Sequence, residues 1–196
     1  MNKPVRPPLD EPQEMRFAYE EFVQLGESRA FGEGVRVELR RGRLVEMPSE
    51  GSIHLYVRSR LIRLFSALSI HLPPGVAWIT DPTVRFSADD VSIPDFTFGA
   101  EPKRDTPYAP TDLQMVIEVG VTTARYDRTT KRADYAAAGI PAYWLIEPAD
   151  QPGAGLVRVH LNPVGGDFGD VSIARAGDEL ALPFAPSLKI AVADFL

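Results

Sequence analysis

The sequence predicts an α/β sandwich of the α+β kind, in which helices pack on a mixed β-sheet. Three observations predict it. Two short alternating runs, "VRVEL" and "RLVEM", flank "RRG" and read as a β-hairpin with Gly42 in its turn. From Ser52 to about His71 the apolar residues Ile53, Val57, Leu61, Leu64, Phe65 and Leu68 recur three and four positions apart, as in an amphipathic helix. Beyond it, apolar runs of strand length alternate with turn signals and one further helix.

The elements follow in order. Residues 1–15 carry recurrent proline without periodicity, the pattern of a flexible tail, so the folded domain is expected over 16–196. "AYEEFVQLG" forms a short helix ending at Gly26, and "ESRAFGEG" is a loop before the hairpin. The long helix takes Ser52 as N-cap and Pro73-Pro74 as its stop. "VAWI", "TVRF", "DFTF" and "LQMVIEV" are strands joined by "TDP", "SADDVSIP" and the longer loop "GAEPKRDTPYAPTD". A second helix covers about Tyr126 to Ala138 and stops at Gly139 and Pro141. "AYWLIE", "LVRVHL", "DVSIA" and "ELALP" make a β-rich C-terminus.

Composition excludes several classes. Hydrophobic residues are 44% and charged residues 24% of 196, as in soluble globular proteins. No run approaches the roughly 20 apolar residues of a membrane span. The polar N-terminus lacks the apolar centre of a secretory signal, so a cytoplasmic location is expected. The absence of cysteine removes disulfides, thiolate zinc sites and cysteine nucleophiles. With only His54, His71 and His160 as imidazoles, scattered along the chain, hard cations such as Mg²⁺ or Mn²⁺ suit the remaining ligands best. The net charge of −6 argues against unspecific coating of nucleic acid, though not against a local basic groove. Arginines gather at Arg36–Arg43, at Arg58, Arg60 and Arg63, and at Arg125–Arg132; taken singly, each cluster reads as a solvated face. There is no internal repeat, and "GEG" and "PVGGD" lack the flanking strand and helix of a phosphate loop.

Glu118 is the anomaly. Alternation in "LQMVIEV" puts Leu113, Met115, Ile117 and Val119 on one face and Gln114, Val116 and Glu118 on the other, so a carboxylate emerges near the end of a core strand. A buried carboxylate must be paired, protonated or bound to a cation. Asp95 opens the strand "DFTF" with Phe96 and Phe98 facing away, and two acids at the ends of adjacent strands can share a divalent cation. Lys131, on the helix after Glu118, has Arg128 and Tyr135 at spacings of three and four and can offset developing negative charge. The alternative is a solvent-side pair with Asp127. His54 at a helix start reads alone as a capping or packing residue. Asp81 and Asp127 read as turn and cap residues, and Tyr143 and Trp144 as packing residues.

The motif "PD" at Pro94-Asp95, "VIEV" with Glu118, and "DRTTKRADYAAAGIPAYWLIEP" together resemble a bacterial restriction-endonuclease-like family within the PD-(D/E)xK nuclease superfamily. "VELRRGRLVEMPSEGSIHLYVRSRL" is similar to that family's N-terminal pattern, and the likeness runs from about Phe17 to Leu196. The resemblance implies a restriction-endonuclease-like core, Asp95 and Glu118 as ligands of Mg²⁺ or Mn²⁺, and His54, Asp95, Glu118 and Lys131 as catalytic residues. Glu46 and Tyr135 are possible additions. It also implies DNA as substrate and a homodimer, since two sites are needed to cut two strands.

Two departures bear on activity. The superfamily lysine stands two residues after the acid, where this chain has Gly120, and the resemblance implies Lys131 as a migrated equivalent reaching back from the helix. Val121 stands where the family carries a serine, and Thr122 and Thr123 replace the hydroxyls as helix caps. The leading expectation is therefore a metal-dependent endonuclease acting on DNA phosphodiesters. The alternative is a catalytically inactive binding or assembly protein that keeps the fold. A glycosidase with paired carboxylates is weaker, because no aromatic sugar platform is evident.

Overall fold

The computed structural model describes residues 13–196. Most of the expected tail, residues 1–12, lies outside the described residues. A short helix, α1 (Tyr19–Glu27), precedes the hairpin of β1 (Arg36–Arg40) and β2 (Arg43–Met47). Arg41 and Gly42 at the turn have φ of 50° and 79°, the paired positive values of the tight two-residue turn that matches strand twist. Gly42 suits that backbone because it carries no Cβ.

Helix α2 (Ser52–Leu68) follows, and its buried stripe is His54, Val57, Leu61 and Phe65. Gly51, not Ser52, is the N-cap, and no side chain caps this end. Ile53 is only half-buried, because the stripe turns a histidine rather than an isoleucine inward. Phe65 packs edge-on against Phe96 and Phe98 at 5.4 and 4.8 Å between centroids. Truncating such a buried ring costs about 3–5 kcal/mol.

The strands β3 (Val76–Thr80), β4 (Val84–Arg85), β5 (Val91–Ser92), β6 (Phe96–Ala100) and β7 (Leu113–Val119) come next. β5 falls inside the stretch expected to be a turn: it bridges β1 and β4, which makes a four-stranded sheet in the order β2-β1-β5-β4. The second helix runs over residues 124–137 as α3 (Ala124–Tyr126), a π turn (Asp127–Lys131) and α4 (Arg132–Ala137). The chain continues through β8 (Ala142–Glu147), β9 (Leu156–Val164), β10 (Asp167–Ala174), β11 (Glu179–Leu182) and β12 (Ala185–Ala191). β12 was not separated from its neighbours by sequence reading; it forms a hairpin with β11.

The main sheet has six strands in the order β10-β9-β8-β7-β6-β3. Only β7 and β8 are parallel, joined by the 124–137 helical segment as a crossover. Its two faces carry two cores. Met115, Ile117, Val119, Trp144 and Ile146 pack under α2, while Val116, Tyr143 and Leu145 pack with Tyr135 and Ile140. Leu113 departs from the expected alternation and joins the second core, because the β6–β7 register shifts between Phe98 and Gly99. The central sheet is thus mixed and flanked by helices, with an N-terminal hairpin and a β-rich C-terminus, the architecture of a restriction-endonuclease-like core.

Candidate active site

Glu118, the anomalous acid, points from β7 into the space between the sheet and the second helix. There its Oε1 accepts a hydrogen bond from Lys131 Nζ at 2.8 Å and another from the Tyr135 hydroxyl at 2.6 Å. The π turn explains how a lysine thirteen residues away arrives. Widening that turn keeps Asp127, Lys131 and Tyr135 on the sheet-facing side, all buried, while Arg128 turns outward to Glu147 at 2.9 Å. Arg128 therefore does not share the face of Lys131 as its spacing suggested. Lys131 is only 3% exposed, so the solvent-side pairing with Asp127 is replaced by a buried one, with Asp127 Oδ1 at 4.0 Å. Asp127 is not the N-cap either; Thr123 occupies that position, and its hydroxyl accepts no capping hydrogen bond from the helix backbone.

Glu38 on β1 completes this inner half and was not singled out from sequence. Its Oε1 lies 3.4 Å from Lys131 Nζ and accepts hydrogen bonds from Ile93 N at 3.1 Å and Ser92 Oγ at 3.3 Å. The charged positions Arg36, Glu38 and Arg40 alternate with Val37 and Leu39, a pattern that reads as a solvated face. Here that face meets the second helix: Arg40 is buried against Glu38 at 3.5 Å, Asp90 at 3.1 Å, and Asp134. Glu46, expected as the extra acid, pairs across from Val37, so hairpin parity puts it on the opposite face from Glu38, where it is exposed.

Asp95 and His54 build the outer half. Asp95 Oδ2 accepts the Val119 N–H at 2.7 Å and faces His54 Nε2 at 3.1 Å. His54 Nδ1 lies 3.3 Å from Glu50 Oε2 yet makes no hydrogen bond, although the residue is only 7% exposed. Glu50 is also new relative to the sequence reading; the i, i+4 pair Glu50 and His54 was its signal. Arg36 at 2.6 Å and Arg58 at 3.0 Å both hold Glu50 by Oε1, which leaves Oε2 aimed at the imidazole. Arg58 also pairs with Asp81.

These environments shift the titrations. Burial raises Glu118 to about 8, against the pull of Lys131 and with the help of Asp95 and Asp127. Burial opposes the Lys131 ammonium, but Glu118, Glu38 and Asp127 outweigh it and raise its pKa. Burial also opposes the Asp95 carboxylate, yet the His54 hydrogen bond, its charge and the Val119 N–H bring Asp95 below its usual range. His54 is raised, because Asp95 and Glu50 outweigh its own desolvation. Glu38, Glu118 and Asp127 surround Lys131, and Arg40 is shared among Glu38, Asp90 and Asp134. The carboxylates thus outnumber the cations and leave negative charge that a proton or a cation must meet.

The donor set fits a hard cation. Hydrogen bonds converge on one oxygen of each acid, Oδ2 of Asp95 and Oε1 of Glu118, leaving the other oxygen of each without such a bond among the described residues. Glu50, His54 and Asp95 also bring ligand atoms within 4.8 Å of one another. Both sets line one cleft of ≈ 110 Å³, together with Lys131, Val121 and Thr122.

Position 120 explains the displaced lysine. A Cβ there would lie 2.9 Å from Leu145 Cδ1 and 3.0 Å from Ala124 Cα, so the packed helix excludes any side chain. Lys131 supplies the ammonium from the helix instead. His71 and His160 stand apart from the cleft. Tyr143 and Trp144 are buried packing residues, as expected.

The fold is that of a restriction-endonuclease-like protein. The chain belongs to the Uma2 family, described as "Putative restriction endonuclease", whose profile matches residues 19–193. It is similar in fold to a solved structure from Anabaena variabilis, described as a "putative nuclease belonging to DUF820". The two share 17% identity and a TM-score of 0.68 over 91% of this chain and 97% of the other. No curated protein matches the chain.

Proposed function

We propose that this protein is a metal-dependent endonuclease that hydrolyses DNA phosphodiester bonds in the cleft between α2, β7 and the second helix. The observation that carries the reading is the excess of buried carboxylate around Lys131, opening onto the free oxygens of Asp95 and Glu118. Asp95 and Glu118 would hold Mg²⁺ or Mn²⁺, with Glu50 and His54 available as further ligands at the rim. A divalent cation there would neutralise charge on a phosphoryl oxygen and make a water more acidic.

The chain's own residues do the rest. Lys131 stands beside Glu118 and offsets negative charge as it develops on the phosphoryl group. Tyr135 and Glu38 fix the lysine and the acid from behind. Val119 N–H and His54 hold Asp95 ionised, so it remains a ligand at neutral pH. The reasons to expect an inactive scaffold were the acidic net charge, Gly120 and the altered turn after Glu118; Lys131 at 2.8 Å from Glu118 answers the second of these. A homodimer, and a cytoplasmic setting in which DNA is reached, belong to the same reading; among the described residues no helix is long and apolar enough to cross a membrane.

The test is cleavage of supercoiled and linear DNA with Mn²⁺, Mg²⁺ or EDTA by the wild type and Glu118→Gln. Cation-dependent cleavage lost in the variant supports the reading. A folded wild type that cuts neither DNA nor RNA with either cation overturns it.

A further inference from the structure

The cleft is small and charged. Its ≈ 110 Å³ is walled by Arg36, Glu50, His54, Asp95, Glu118 and Lys131, a setting for a phosphoryl group and a few waters. A nucleotide's base has no place among these charges and must be seated elsewhere.

A second pocket begins on the other flank of the same helix start. Ser52, Ile53, Tyr56 and Val57 of α2 wall it on one side, and Pro148, Pro152 and Leu196 on the other, around ≈ 350 Å³. At about 100° per residue, His54 leaves α2 about 160° around the helix from Tyr56, so the two sites flank the helix start one helix width, about 10 Å, apart. They also share one end of the main sheet. β7 and β8 are parallel, so Glu118 and the turn at Pro148 emerge at the same end.

Between them lies the N-terminus of α2, whose cap residue Gly51 offers no side chain and whose first turn holds no acid. The first N–H groups of a helix have no intrahelical acceptor, and no side chain caps this end, so a backbone phosphate can be bound there. The pocket is mainly apolar, with Asp150 as its charged group, the pattern of a site for a flat, weakly polar ligand. Tyr56 is 44% exposed although aromatic, and the Arg60 guanidinium lies 5.4 Å from its ring centroid.

We propose that this pocket seats a nucleobase of the strand whose phosphate lies in the cleft, with Tyr56 as the stacking surface. The proposal rests on the nuclease reading and adds to it a substrate class. The base must be unstacked to enter, so the substrate is single-stranded DNA or a nucleotide extruded from a duplex.

The experiment uses a single-stranded oligonucleotide carrying 2-aminopurine and phosphorothioate linkages, titrated with the full chain with and without Mn²⁺. Wild type is expected to quench the 2-aminopurine, Tyr56→Ala to bind at least about tenfold more weakly without quenching, and Tyr56→Phe to restore both. Circular dichroism checks that Tyr56→Ala keeps its fold. Absence of binding, binding without quenching, or quenching that survives Tyr56→Ala overturns the proposal. So does concentration-dependent self-association that Tyr56→Ala abolishes, since a second copy would then fill the pocket. Quenching by a wild type that never cuts DNA would leave the base site standing and remove the nuclease reading instead.

Discussion

The two halves of the cleft are built on opposite principles. The inner half, Glu38, Glu118, Lys131 and Tyr135, closes on an ammonium: Lys131 meets two carboxylates within 3.4 Å and Glu118 takes two hydrogen bonds on one oxygen, while only Glu38 Oε2 among these four residues is buried without a hydrogen bond. The outer half, Glu50, His54 and Asp95, is open: arginines fix Glu50 by one oxygen, while its other oxygen and His54 Nδ1 face each other without a hydrogen bond. Closed networks hold a charge in place, whereas open ligand sets accept a new one. Asp95 belongs to both, since it touches His54 and stands beside the Glu118 strand end.

The contrast is broken most severely at Lys131. Lys131→Met leaves Glu118 and Asp127 buried without their cation and Glu38 with Arg40 alone. We expect about 3–5 kcal/mol of lost stability by chemical denaturation and at least about 100-fold lost cleavage. Adding Glu118→Gln to that variant should return part of the stability but none of the activity. Gly120→Lys should rescue neither, because a side chain at 120 meets Leu145 and Ala124. A stable Lys131→Met protein would show that the inner network does not hold the fold.

Tyr135→Phe removes one hydrogen bond from the same acid. Its cost should be about 1.5–3 kcal/mol, the range for hydrogen bonds to charged groups. An unchanged melting midpoint would place the hydroxyl outside the network.

The outer half should respond in the reverse sense. His54→Gln is expected to weaken Mn²⁺ binding at least about tenfold while costing less stability than either inner variant. A calorimetric titration that matches wild type would remove His54 from the ligand set.

The smallest effect comes from the other buried histidine. His160 stacks on Tyr143 at 5.5 Å, and neither ring nitrogen has a hydrogen-bond partner. Burial first, and then Arg132, lower its pKa to about 4. The folded state thus binds this proton more weakly than the unfolded chain, whose histidine titrates near 6.5. Its stabilising contribution is complete above about pH 6.5 and is lost as pH falls toward 4. His160→Phe should flatten the fall in Tm across that window; an equally steep profile would refute the assignment.

How much of this was legible in the sequence depends on which signal was local. The hairpin with its turn, the long helix and the Asp95 and Glu118 strands rest on periodicity and turn chemistry, and they are found where expected. Lys131 and Tyr135 were also legible, since their spacing of four survives the π turn. Glu38 was not, because an alternating Arg-Glu-Arg strand looks the same whether its charged face meets water or another ion network. Glu46 was chosen in its place, and a parity set by the register with β1 turned it outward. Glu50 escaped because it precedes the helix, and only the fold brings Arg36 and Arg58 to one of its oxygens.

The most direct measurement is calorimetric titration of Mn²⁺ into the wild type and Asp95→Asn, since Asp95 is shared by both halves and asparagine can still accept the Val119 N–H. The account predicts binding by the wild type and none by Asp95→Asn at an unchanged Tm. Equal binding by both proteins, or none by the wild type even with DNA present, would contradict it.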